Sequence, residues 1–118
     1  MSVDQKLPQL RNILRLPKLE RLIMEYFLKH ISAGEIIVLI DLREEIKRLR
    51  DPDLVPEFDD VIIELEVGKA ITRLLRKGFL EYASGCYNLA PQLRDELRKK
   101  IGGLKPGFSK NLEDLIKE

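Results

Sequence analysis

The sequence predicts a mainly α domain with a small β-hairpin, an α+β fold, and three observations lead to this prediction. Apolar residues recur at helical spacing in several segments, glycine and proline mark where those segments end, and one short stretch reads as two strands around a tight turn. The chain has 118 residues, enough for one domain with a single core. We expect a domain at 17–101, an amphipathic extension at 1–16, and a linker with a terminal helix at 102–118.

The first half of this domain is predicted to begin with a helix and a strand. Apolar residues at helical spacing follow Pro17 and indicate a helix of about three turns, and these are Leu19, Leu22, Ile23, Tyr26 and Phe27. Residues 35–40 (EIIVLI) form a short apolar run rich in β-branched side chains. Such a run after Ala33-Gly34 favours a short strand.

A second helix is predicted over residues 42–50. Asp41 and Glu44 have the spacing of a capping box, in which the two side chains satisfy backbone N–H groups at a helix start. The buried side of this helix is predicted to consist of Leu42, Ile46 and Leu49.

A third helix, over residues 61–77, is predicted to have two chemically different faces. At about 100° per residue, one side of its second half is apolar and carries Ala70, Ile71, Leu74 and Leu75. The opposite side is polar and mostly cationic, and carries Lys69, Thr72, Arg73 and Arg76. Gly78 follows at the position where a left-handed residue commonly ends a helix.

A β-hairpin and a closing helix are predicted after Gly78. Residues 79–83 and 86–89 flank Ser84-Gly85, a pair suited to a tight hairpin turn. We expect Tyr82 and Tyr87 to face the core rather than to form a platform for stacking bases. Pro91 is a favourable first residue for the helix that follows.

This order of elements, with the segment GKAITRLLRKGFLEYASGCYNLAP at 68–91, resembles the winged helix-turn-helix superfamily, and small transcriptional regulators in particular. The resemblance covers about residues 17–101 and implies a winged helix with extra N- and C-terminal helical segments. It implies that helix 61–77 is a recognition helix and that the hairpin is the wing. One departure is the connection at 51–60 (DPDLVPEFDD), about ten residues where a compact helix-turn-helix has about three or four.

Charge is strongly segregated along the chain although its net value is only +1. Residues 51–68 carry seven acidic and no basic side chains, whereas residues 69–110 carry ten basic and three acidic ones. Such asymmetry indicates partners of defined charge.

The resemblance implies binding of double-stranded DNA and a role in transcription regulation. The predicted major-groove residues are Lys69, Thr72, Arg73 and Arg76, and the predicted phosphate contacts are Lys77, Arg43 and Lys47. A solvated cationic face is the alternative interpretation of the same side chains. The predicted wing tip at 82–87 contains no arginine or lysine, so the helix would carry the contact.

A protein-interaction module within a transcription, replication or membrane-remodelling assembly is the alternative function. The acidic segment 51–66 beside the start of the third helix would repel phosphate and suit a basic protein partner. Apolar residues in both extensions either fold back on the domain or form a homodimer, and we expect a homodimer through the terminal helices. They include Leu7, Leu10, Ile13 and Leu14 at one end and Leu112, Leu115 and Ile116 at the other.

The sequence does not predict an enzyme, a cofactor or a metal site. His30 and Cys86 are the only residues of their types and lack zinc-ligand spacing. No signal peptide or apolar run of about 20 residues is present, so we expect a cytoplasmic protein that does not bind membranes. Uncharged polar residues are scarce relative to Leu, Ile, Lys, Glu and Arg, a composition that indicates a thermophilic source.

Overall fold

A computed structural model describes residues 7–101 of the chain. The elements follow the winged-helix order, and the predicted mainly α fold with a small β-hairpin is confirmed. They are a 3-10 helix at Leu10–Arg15, α1 at Lys18–His30, β1 at Ser32–Gly34, α2 at Glu35–Leu49, α3 at Asp60–Lys77, β2 at Leu80–Ala83, β3 at Cys86–Leu89 and α4 at Pro91–Ile101. The helix predicted near the C-terminus lies outside the described residues.

The prediction of a strand at 35–40 is wrong, because these residues form the first turns of α2. Val38, Leu42 and Ile46 are spaced four residues apart and are all buried, so the apolar run belongs to a helical stripe that continues past residue 40. The first strand is Ser32–Gly34 instead. This strand has only three small residues and is held by backbone pairing with β3. Its composition therefore does not predict a strand.

The predicted start and buried side of α2 are also corrected. Gly34 is the N-cap, so Asp41 and Glu44 lie within the helix and not at a capping box. Leu42 and Ile46 are buried as predicted, whereas Leu49 at the helix end is exposed.

The three strands form an antiparallel sheet in the order β1-β3-β2. Leu80 pairs with Leu89, and both are buried against the helices. Ser84 and Gly85 have φ values of 53° and 77°, which a tight turn with two left-handed residues requires. The predicted hairpin is therefore confirmed. The prediction that Tyr82 faces the core is wrong, because its side chain is 48% exposed. Tyr87 is partly buried against the core.

The N-terminal extension folds back on its own domain in the part that the structure describes. Leu10 and Ile13 are fully buried in the core, and the Leu10 backbone N–H donates to Glu96 Oε1 of α4 at 2.9 Å. Two of the apolar residues considered for a dimer interface are thus used inside the domain.

The ten residues that connect α2 to α3, 50–59, are attached to the core. Leu54 and Val55 are buried, and the Asp59 carboxylate accepts from the backbone N–H groups of Val61 and Ile62 as the N-cap of α3. The ten-residue connection joins α2 to α3, and the two helices pack against each other. Between residues 7 and 101, no helix has both the length and the hydropathy that crossing a membrane requires.

Candidate functional site

The two faces predicted for α3 are present in the structure. Ala70, Ile71 and Leu74 are buried, and Leu75 is half-buried against the core. Lys69, Thr72 and Arg76 are exposed and Arg73 is half-exposed, so the polar side of the helix remains accessible. The polar face of α3 is therefore exposed, as DNA binding would require. Whether its charged side chains could contact DNA depends on the groups that they already bind within the chain.

Arg73 and Lys77 both bind a buried carboxylate of α1. Glu20 is only 1% exposed, and its Oε2 accepts from Arg73 Nε at 2.8 Å while its Oε1 accepts from Lys77 Nζ at 2.6 Å. The two cations lie one helical turn apart on α3, so a single carboxylate reaches both of them. Burying a carboxylate is unfavourable unless it is paired, so Glu20 holds these side chains against α1.

The sequence analysis did not identify Glu20 as a functional residue. A signal was present, because Glu20 lies three and four residues before Ile23 and Met24, in the apolar stripe of α1. A carboxylate on the buried side of a helix requires a cationic partner, and Arg73 with Lys77 supplies two at helical spacing.

The two predicted phosphate contacts on α2 pair with acids of α3. Arg43 Nη1 lies 2.7 Å from Glu64 Oε2, and Lys47 Nζ lies 2.9 Å from Asp60 Oδ1. The hydrogen bond from Lys47 holds the pKa of Asp60 below its usual value, and the same bond raises the pKa of Lys47. The acidic start of α3 is therefore neutralised in part by α2.

The remaining predicted site residues differ in their local contacts. Lys69 Nζ lies 3.5 Å from Glu66 Oε2, and the Thr72 hydroxyl donates to the Gly68 carbonyl at 3.0 Å. Arg76 has no hydrogen bond or ion pair within residues 7–101. The structure thus places all seven predicted side chains on α2 and α3, six of them with a partner in the chain.

A set of apolar side chains is exposed on the outer surface of the same two helices. Ile36 and Val61 are 69% and 70% exposed, the largest fractions among the bulky apolar residues of the described chain. Ile37, Ile40 and Leu65 are exposed as well. This surface lies beside the Arg43–Glu64 and Lys47–Asp60 pairs and is the clearest unpartnered apolar region that α2 and α3 present.

A concave region of about 650 Å³ lies between α1 and α2. The Tyr26 hydroxyl donates to Asp41 Oδ2 at 2.6 Å, and the His30 ring lies 4.4 Å from the Tyr26 ring. Burial and the bond to Asp41 raise the pKa of Tyr26. Residues 7–101 contain no cluster of three or more His, Cys, Asp or Glu side chains that could hold a metal ion.

Comparison with known proteins places the chain in a family. No curated protein and no solved structure is significantly similar to it. The family profile described as PolB1 Binding Protein 2 (PBP2) matches residues 17–95, which span α1, the sheet, α2, α3 and the first half of α4. Because this match covers about two thirds of the sequence, the chain belongs to the PolB1 Binding Protein 2 family.

Proposed function

We propose that this chain is a protein-interaction subunit with a winged-helix fold and that it binds DNA polymerase B1. The family description names PolB1 as the binding partner. This partner favours the protein-interaction alternative of the sequence analysis over a transcriptional regulator. In this proposal the winged helix acts as a compact scaffold that presents a surface to another protein.

The observation that supports this proposal most directly is the pairing of the predicted DNA-contacting side chains within the chain. Glu20 binds Arg73 and Lys77, Glu64 binds Arg43, and Asp60 binds Lys47. A phosphate would have to displace these acids or lie next to them, and either costs favourable electrostatic energy. The wing tip offers no cation that could compensate.

The proposal is tested by titrating purified DNA polymerase B1 with the full chain in a calorimeter and measuring the mass of the complex by light scattering. A saturable complex of fixed stoichiometry is expected, and its absence would reject the proposal. A parallel titration with random duplex DNA at low and moderate salt tests the DNA-binding prediction. Strong, steeply salt-dependent binding to DNA, without binding to the polymerase, would favour the transcriptional-regulator interpretation.

Two further expectations remain predictions that the same measurements test. The mass of the free chain distinguishes a monomer from a homodimer through the terminal helices. Arg76, which has no partner in residues 7–101, is the α3 cation most available to DNA, so an Arg76→Ala variant belongs in the DNA titration.

A further inference from the structure

The exposed apolar residues of α2 and α3 lie beside the contact between the two helices. The pairs Arg43–Glu64 and Lys47–Asp60 show that α2 and α3 run in opposite directions along this contact. Ile36 and Ile40 lie seven residues, about two turns, before Arg43 and Lys47, and therefore on the same side of α2. We call the surface formed by Ile36, Ile40, Val61, Leu65 and Gly68 the α2–α3 groove.

Gly68 leaves open space on the surface of α3 beside this groove. It lies four residues after Glu64, so it is on the side of α3 that faces α2, opposite the region of Ile40. Glycine inside a helix is unfavourable relative to alanine. A Cβ at Gly68 would meet no atom within 4 Å, so these residues give no steric reason for glycine. Close approach of a partner supplies such a reason.

The charge around the groove indicates the chemistry of that partner. Five acids lie next to Val61 and Leu65 along the chain, and the cations paired with acids of this set are Arg43, Lys47 and Lys69; the acids are Glu57, Asp59, Asp60, Glu64 and Glu66. The surroundings of Val61 and Leu65 are therefore acidic on balance, while these two exposed side chains are apolar. A complementary segment carries apolar side chains on one side and lysine or arginine at its margins.

We propose that the α2–α3 groove is the surface that binds DNA polymerase B1, through an amphipathic basic segment of the polymerase. This inference rests on the proposed function and adds the surface and the chemistry of the contact. The apolar side chains would supply most of the affinity, as buried anchors do in protein interfaces. The acids around them would favour a basic segment and disfavour an acidic one.

The test uses the full chain and intact DNA polymerase B1 in a calorimetric titration. One variant combines Ile36→Gln with Ile40→Gln, which removes apolar contact while keeping good helix formers. A second variant, Gly68→Gln, fills the groove. The matched control is Leu14→Gln, because Leu14 is also exposed but lies on the 3-10 helix, which packs against α1 and α4. Circular dichroism and a denaturant midpoint establish that each variant is folded.

We expect both groove variants to raise the Kd for the polymerase by about tenfold or more, and the control to leave it unchanged. Binding by the wild type with the same Kd in all variants would overturn the groove assignment and leave the proposed function standing. No binding by the wild type would overturn both. A change from dimer to monomer in the groove variants would overturn the assignment in favour of a second copy of the chain.

Discussion

The buried carboxylate of Glu20 binds the Arg73 guanidinium at 2.8 Å across 53 residues of sequence and joins α1 to the exposed face of α3. Lys77 binds the other oxygen of the same carboxylate. These two bonds hold the polar face of α3, whose sequence resembles a DNA-recognition surface, against α1. Any contact that Arg73 or Lys77 makes with another molecule must therefore compete with Glu20.

Replacement of Arg73 by alanine should destabilise the fold much more than replacement of Arg76. Arg73→Ala leaves Glu20 buried with only Lys77 as its partner, and we expect a loss of about 1–3 kcal/mol in the free energy of unfolding. Arg76 lies three residues away on the same helix and has no partner in the described chain, so Arg76→Ala should change stability by less than about 0.5 kcal/mol. Urea unfolding of both variants makes the comparison, and equal midpoints would contradict it.

Substitution by alanine should have opposite effects at two glycines of the same region. Gly68→Ala should raise the free energy of unfolding by about 0.5–1 kcal/mol, because the added methyl meets no atom within 4 Å and alanine favours the helix. Gly78 has a φ of 83°, and a Cβ there would lie 3.4 Å from Pro8 Cδ.

Gly78→Ala should therefore lower stability by about 1–2 kcal/mol, the cost of a left-handed conformation for a residue with a side chain. Thermal unfolding of the two variants under identical conditions measures both signs. A stabilised Gly78→Ala or a destabilised Gly68→Ala would show that the backbone at these positions differs from the structure described.

Sequence patterns predicted the parts of the fold that depend on local chemistry. Gly78 and the Ser84-Gly85 turn fix the end of α3 and the hairpin register, and the apolar stripe of α1 fixes its buried face. Residues 35–40 were predicted as a strand because β-branched side chains favour strands only on average, and here the stripe of Val38, Leu42 and Ile46 determines a helix.

The candidate site was predictable in its residue types but not in its pairings. The polar face of α3 follows from helical periodicity, whereas the contact between Glu20 and Arg73 depends on how α1 packs against α3. The same is true of Lys47 and Asp60, whose contact requires α2 and α3 to lie side by side. Tertiary contacts of this kind have no periodic signature in one sequence.

Stability should fall in acid partly because of the Asp60–Lys47 pair. The bond from Lys47 lowers the pKa of Asp60, so its contribution is complete above the usual aspartate pKa of about 4 and is lost as the pH falls through the lower folded value. Asp60→Asn should therefore show a shallower loss of stability below about pH 4 than the wild type. Urea midpoints between neutral and acid pH measure this slope.

Lys47→Met provides the complementary variant for this pH dependence. It removes the donor and should return the pKa of Asp60 toward its usual value, so its acid slope should match that of Asp60→Asn. The difference in acid slope between each variant and the wild type should shrink at high salt. The reason is that Lys47 and Asp60 are partly exposed, so salt screens their interaction. A slope that is unchanged in both variants would mean that this pair does not contribute to acid unfolding.

Removal of the Glu20 charge should increase binding to random duplex DNA. In Glu20→Gln, Arg73 and Lys77 lose their carboxylate and become free to contact phosphate, so the slope of log K against log salt should steepen by up to about 2. Fluorescence anisotropy with labelled DNA at several salt concentrations measures the slope. Glu57→Gln is the control, because it makes the same change in net charge at an exposed acid that pairs with no cation in residues 7–101. If both variants show equal slopes, Arg73 and Lys77 do not reach DNA even when released, and the polar face of α3 has a structural role.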